Sequence, residues 1–303
     1  MRIFDPHIHM TSRTTDDYEA MYAAGVRAVV EPAFWLGQPR TGVSSYLDYF
    51  DAITGWERFR ASQFGIRHHA AIALNPKEAN DPRCREVLPE LDRYLRRESV
   101  VAVGETGYDS MTPEEDEVLE THLDLAKRHG LPVVVHTPHR DKKHGTQRTL
   151  DVIANSGIAP ELVVLDHLNE VTVDLVAERG CWMGFSIYPD TKMDPQRMVA
   201  ILQRLGTERM LVNSAADWGR SDPLLTAKTG RAMLEAGFAE AEVDHVLWEN
   251  PVAFYGQSGR LDVTPLPGFE LGGEAELFEG NSILRGAAAV PVTAAAATVT
   301  GAN

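Results

Sequence analysis

The sequence predicts an α/β protein, a (β/α)8 TIM barrel with a C-terminal extension, on the strength of three observations. Eight short apolar runs rich in Val, Ile and Leu recur along the chain without alternation, as strands of a parallel sheet buried on both faces do. Helical patterns separate them in regular succession, the rhythm of repeated β-α units. Several runs end on His, Asp or Glu, and in a barrel such ends converge on one C-terminal mouth.

The first run carries His7 and His9 one residue apart. Strand residues i and i+2 point to the same side, so both imidazoles can reach one ion. Asp16-x-x-Glu19 and Gly25 then predict a helix near 16–24, before a strand over Val26–Val30. The connection from Ala33 to Gly65 is long and aromatic, with Phe34, Trp35, Tyr46, Tyr49, Phe50, Trp56 and Phe59. It reads either as an inserted helix packed on the barrel or as a wall over the active site. Further strands are expected near 66–74, 99–104, 131–136, 161–166, 180–186 and 209–213. Helices are expected near 43–63, 83–97, 114–129, 146–156, 169–179, 194–205, 222–236 and 239–255. Periodicity fades at Gly259, so the barrel is assigned to 1–258 and an extension to 259–303; residues 286–303, chiefly Ala, Val, Thr and Gly, read as a flexible low-complexity tail.

Composition bounds the function. With 29 Lys and Arg against 44 Asp and Glu, the formal charge is −15, which does not favour nucleic acid or an anionic membrane as a partner without a local basic patch. Only Cys84 and Cys181 occur, so no disulfide framework is implied and a cytoplasmic location is expected. No signal pattern or bilayer-length apolar run is present. Oligomeric state is left open.

The strand ends form a constellation. Strand four gives Gly104-Glu105-Thr-Gly, strands five and six end at His136 and His167, and strand eight leads to Asp217. A single histidine at a strand end is more often a hydrogen-bonded structural residue than a ligand. Four histidines and two carboxylates at the same end of apolar strands are not explained by core packing, and they suffice for two divalent ions. Zinc suits the imidazoles, while carboxylates also accept manganese or magnesium.

The order His7-x-His9, Gly104-Glu105-Thr-Gly, His136, His167 and Asp217 resembles the TatD family of metal-dependent hydrolases in the amidohydrolase superfamily. The similarity spans most of residues 1–256, and Glu249–Gly256 resembles the segment that closes such barrels. The resemblance implies a two-metal site with His7, His9 and Asp217 on one ion, His136 and His167 on the other, and Glu105 bridging. It also implies water activation with Asp217 as general base, and cleavage of a phosphoester, often in DNA. Phosphotriesterase relatives carry a carbamylated lysine as the bridge; Glu105 favours the TatD-like arrangement.

Other segments depart from the family pattern. Asn75 stands where a substrate-facing histidine is usual, Thr-Pro-His139-Arg140 replaces a Ser-Arg pair, and Asn213-Ser-Ala-Ala-Asp217-Trp218 replaces Glu-Thr-Asp-Ser. Asn75, His139 and Arg140 are therefore the candidate substrate contacts for a small-molecule or anionic phosphoester substrate, and the basic stretch Arg140–Arg148 reads either as a clamp for phosphate or carboxylate or as a solvated charged loop. His68, His69, His122, His129 and His245 fall away from the mouth and are read as structural. Two alternatives remain: a hydrolase of a small lactone, ester or amide, and a non-enzymatic metal-binding barrel of a biosynthetic assembly that docks through the extension.

Overall fold

The computed structural model describes residues 1–266. Eight parallel strands follow one another in sequence order: β1 (Ile3–Asp5), β2 (Val26–Pro32), β3 (Arg67–Ile72), β4 (Val100–Gly107), β5 (Val133–His136), β6 (Val163–Asp166), β7 (Trp182–Ser186) and β8 (Met210–Asn213). Beyond the last strand the chain returns to the first. The Ala215 N–H donates to His7 O and the His9 N–H to Ala216 O, both at 2.9 Å, and these bonds draw β8 and β1 together at the mouth. This is the predicted (β/α)8 barrel.

Strand period sorts the side chains. In β5, Val133 and Val135 face the outer helical layer while Val134 belongs to a separate inner cluster; β6 and β8 repeat this with Val164 and Leu211 inside. Two residues further along each strand, the same inward parity reaches His136, Asp166 and Asn213 at the C-terminal end. The barrel is thus apolar low down and polar at its mouth. Its floor is closed by the C-terminal helical turns, from which Trp248, Phe254 and Tyr255 pack against Phe4, Val101 and Val134, and the Tyr255 hydroxyl donates to Pro6 O at 2.6 Å. Residues following Gly259 stay attached there: Leu261 and Val263 join the inner cluster, and the Arg260 guanidinium donates to Leu95 O. The low-complexity stretch 286–303 lies outside the described residues.

Helices depart from expectation at three places. The single helix expected near 83–97 is broken into Pro82–Arg85, Leu88–Glu90 and Leu91–Tyr94, because Pro89 cannot supply an interior N–H. The helix expected from 146 starts at Lys142, so most of the supposed basic loop is helical. The helix expected near 169–179 shrinks to Val173–Ala177 behind a turn in which the Asn169 side chain accepts from the Val171 N–H at 3.0 Å. The connection 33–65 contains the inserted helix of its first reading. Residues 43–62 form helix packed on the barrel, burying Tyr46 and Phe50, whereas Phe34 and Trp35 precede that helix at the mouth. Among the described residues no helix is long and apolar enough to cross a membrane.

Candidate metal centre

Glu105 is the hub. It sits near the end of β4 where Gly104 lets the strand approach β5: a Cβ on Gly104 would lie 2.7 Å from Val134 Cβ. Glu105 Oε1 meets His136 Nδ1 at 2.6 Å and His167 Nε2 at 2.9 Å, and Oε2 accepts from Asn75 Nδ2 at 3.0 Å. The carboxylate is buried, which alone would raise its pKa, but the His136 charge and the bonds from His136 and His167 outweigh burial and hold it well below the usual carboxylate range.

His7 and His9 lie just past β1, and their Nε2 atoms are 3.1 Å apart. His7 is oriented from behind: its Nδ1 bonds to Asp166 Oδ2 at 2.6 Å, which turns Nε2 toward His9. Asp166 is itself fixed by Asn213 Nδ2, at 3.0 and 3.1 Å to its two oxygens, and by the His167 N–H at 2.6 Å. Room for it depends on Gly184 of β7, where a Cβ would meet Asp166 Oδ1 at 2.7 Å. His167 has φ +63°, a left-handed conformation unusual outside glycine, and its Nδ1 is tied to Ser186 Oγ at 2.6 Å. Burial works against charge on His7, yet the Asp166 bond and the Glu105 charge raise its pKa; burial and the adjacent His7 push His9 well below the imidazole range, and burial and Lys192 do the same to His167.

Among the described residues, three sets of side chains bring ligand atoms within 4.8 Å of one another: His7, His9 and Glu105; Glu105, His136 and His167; and His7, Asp166 and His167. These residues fit divalent cations. An ionised carboxylate and neutral imidazoles are the forms that ligate, as burial favours for His9 and His167, and the buried His136 Nε2 has no hydrogen-bond partner among the described residues.

The structure therefore gathers five of the six residues expected as ligands. Asp217 stands apart from these sets: half-buried, it accepts from the Tyr188 hydroxyl at 3.2 Å and the Gly219 N–H at 2.7 Å through Oδ1. Arg13 Nη1 holds its carbonyl oxygen at 2.9 Å. Of the expected substrate contacts, Asn75 is buried and its amide is committed to Glu105 and Ala33 O. His139 is exposed at the mouth, its ring 5.8 Å from His136, and Arg140 is exposed. Within the basic stretch, Lys142 turns back onto Thr137 and Arg148 pairs with Asp116. The histidines read as structural are bonded within the fold: His68 to Glu31, His69 to Asp262 O, His122 to Leu74 N and Thr106, His129 to Asp92, and His245 to Glu249.

Two participants escape the sequence reading. Asp166 was legible in principle, as a carboxylate at an inward position of a buried strand. Lys192 was not. It lies on the loop after β7, its ammonium 5.3 Å from the Tyr188 ring, where burial lowers its pKa against the pull of Glu105, Asp166 and Asp217.

Residues 4–256 match the model of a family described as TatD-related DNase. The chain belongs to the TatD family. Proteins similar to it include an uncharacterized metal-dependent hydrolase of Methanocaldococcus jannaschii, 28% identical over 257 residues that cover 84% of this chain and 99% of that protein. An uncharacterized metal-dependent hydrolase TatD of Mycobacterium tuberculosis is 34% identical over 171 residues, 53% of this chain and 59% of its own length. Among solved structures, a TatD-like protein from Archaeoglobus fulgidus superposes with a TM-score of 0.70 at 28% identity, covering 83% of this chain and 99% of that one. A phosphotriesterase homology protein from Escherichia coli shares the barrel alone, with a TM-score of 0.63 at 17% identity over 84% of this chain and 98% of that one. TatD membership makes this a metal-dependent hydrolase with a candidate metal site at the barrel mouth.

Proposed function

We propose that the protein is a dinuclear divalent-metal hydrolase that cleaves a phosphoester of a small molecule. The observation that carries this reading is the sharing of Glu105: one buried carboxylate belongs both to the His7–His9 set and to the His136–His167 set. Glu105 would hold two divalent ions, Zn, Mn or Mg, one with His7, His9 and Asp217 and the other with His136 and His167. Bound there, the ions would polarise an ester oxygen and acidify a water.

The chain's own groups divide the remaining work. Asp166 holds His7 with Nε2 facing the site, and Ser186 does the same for His167. Asn75 occupies the second Glu105 oxygen, so the carboxylate keeps its orientation when the imidazoles exchange partners. Asp217, at the rim, takes the proton of an attacking water at its carboxylate and returns it to the leaving oxygen. Lys192, with its ammonium 5.3 Å from the ring of Tyr188, whose hydroxyl donates to Asp217, would supply positive charge beside an anionic phosphoester. The net charge of −15 favours a small substrate over a long polyanion. Cys84 and Cys181 are buried free thiols, which suits work in a reducing cytoplasm.

The test is metal analysis of the full chain followed by a panel of phosphomonoesters, phosphodiesters, single- and double-stranded DNA, and lactones with Zn, Mn or Mg. Two ions per chain and phosphoester turnover are expected. Rapid DNA digestion would replace the small-molecule reading with a nuclease, lactone turnover alone would move the reaction to carbon, and metal content near one would remove the bridged site.

A further inference from the structure

The mouth has two chemically different walls. On the side of β1, β2 and β8 three rings run outward from a ligand: Phe34 stacks on His9 with centroids 3.8 Å apart and planes at 18°, Trp218 lies 4.7 Å from Phe34, and Trp35 lies 5.3 Å from Trp218. Trp218 directly follows Asp217 and remains 48% exposed, whereas Tyr46 and Phe50 of the same aromatic connection are buried in the core. Its position is also fitted. Gly37, at φ +84°, brings the backbone so close that a Cβ there would meet Trp218 Cζ2 at 3.2 Å. Lys77, anchored by Asp109 at 2.7 Å, lies 5.5 Å from the Trp35 ring. On the other side, the loops after β5 and β7 contribute His139, its ring 6.2 Å from that of His167, and Lys192, its ammonium 5.3 Å from the Tyr188 ring whose hydroxyl bonds Asp217.

We infer that the substrate carries a planar aromatic or heteroaromatic group next to its ester bond, seated on Trp218 and Trp35 while the anionic ester lies at the metal ligands under Lys192. This rests on the hydrolase reading above and adds the class of group attached to the ester. A fixed, half-exposed indole beside a metal ligand offers apolar area at little entropic cost, and it favours a flat π-face over a flexible alkyl chain of similar size. Continuity with His9 through Phe34 sets the ring near the reacting bond rather than at a remote surface.

The test compares benzyl phosphate with butyl phosphate, and in parallel benzyl acetate with butyl acetate, using Mn-loaded full-length protein. The leaving alcohols within each pair are similar in acidity, so a preference reports recognition of the ring. The expected benzyl preference is about tenfold in kcat/KM, equivalent to about 1.4 kcal/mol, expressed mainly in KM. In Trp218→Leu the ratio is expected to fall below about threefold, with Trp35→Leu as the second variant and circular dichroism as the check on folding. A ratio near one for the phosphates, or a preference that survives both substitutions, overturns the ring platform and leaves the phosphoester reading standing. A ring preference in the acetates alone, with inert phosphates, keeps the platform and overturns the phosphoester reading. No turnover of either pair by metal-loaded protein overturns both.

Discussion

Glu105 and Asp217 are both carboxylates at the barrel mouth, but the fold treats them differently. Glu105 is buried and held by His136, His167 and Asn75, from two strand ends and the turn after β3. Asp217 is half-buried on a loop, and its carboxylate is restrained by one tyrosine hydroxyl and one N–H of its own turn. The backbone reaches it through Ala215 at φ +43°, a turn that departs from the direction of β8. On the function proposed above, a preorganised carboxylate would serve as the shared ligand, and a rim carboxylate with few restraints would serve as the group that gains and loses a proton.

Removing the charge from each should break this contrast most visibly. Glu105→Gln is expected to abolish turnover and reduce bound metal below one ion per chain by elemental analysis. Outer partners of ligands typically cost about 10–100-fold, and the shared ligand itself should exceed that. Asp217→Asn should retain the ion of the Glu105–His136–His167 set while lowering kcat by about 100-fold. Equal metal loss in the two variants would erase the proposed division of labour.

The rigid half was legible because strand period reaches it. Val134 and His136 share one parity of β5, and apolar residues around a lone polar one mark the inward end. The same parity extends to Asp166 and Asn213, of which Asp166 bonds His7 and Asn213 bonds Asp166. Beyond the strands the period ends. The position of Lys192 follows from a loop that folds back through the Ile187–Met193 bridge. The rim geometry of Asp217 follows from a left-handed alanine, and the early helix start at Lys142 follows Asp141 at φ +44°. Of these turns only that at Asp141 has a residue type common at such a position, a helix N-cap.

The Asn75 amide permits a gentler test. Asn75→Ala removes the donor to Glu105 Oε2 and the cap that accepts from the Lys77 N–H at 3.1 Å. Metal affinity, measured by competition with a chelator, should weaken about tenfold while the chain remains folded. An unchanged affinity would mean that His136 and His167 alone fix the carboxylate.

The smallest effect concerns the support beneath that half. His122 is buried, and its Nε2 accepts from the Leu74 N–H at 3.0 Å while Nδ1 meets Thr106 Oγ1 at 2.8 Å, so it braces the neighbours of both Asn75 and Glu105. An Nε2 that accepts a hydrogen bond must be unprotonated, and burial lowers the His122 pKa to about 3 from 6.5. Because the folded value lies below the unfolded one, this contribution is fully present above pH 6.5 and is lost as pH falls toward 3. Urea unfolding should show up to about 1.4 kcal/mol lost per pH unit in that window from this group. In His122→Phe, stability at pH 7.5 should drop by about 1–3 kcal/mol because the Leu74 N–H loses its acceptor. The acid slope between pH 6 and 4 should become shallower by about one proton. An unchanged slope would place the acid sensitivity elsewhere and detach the brace from the rigidity of Glu105.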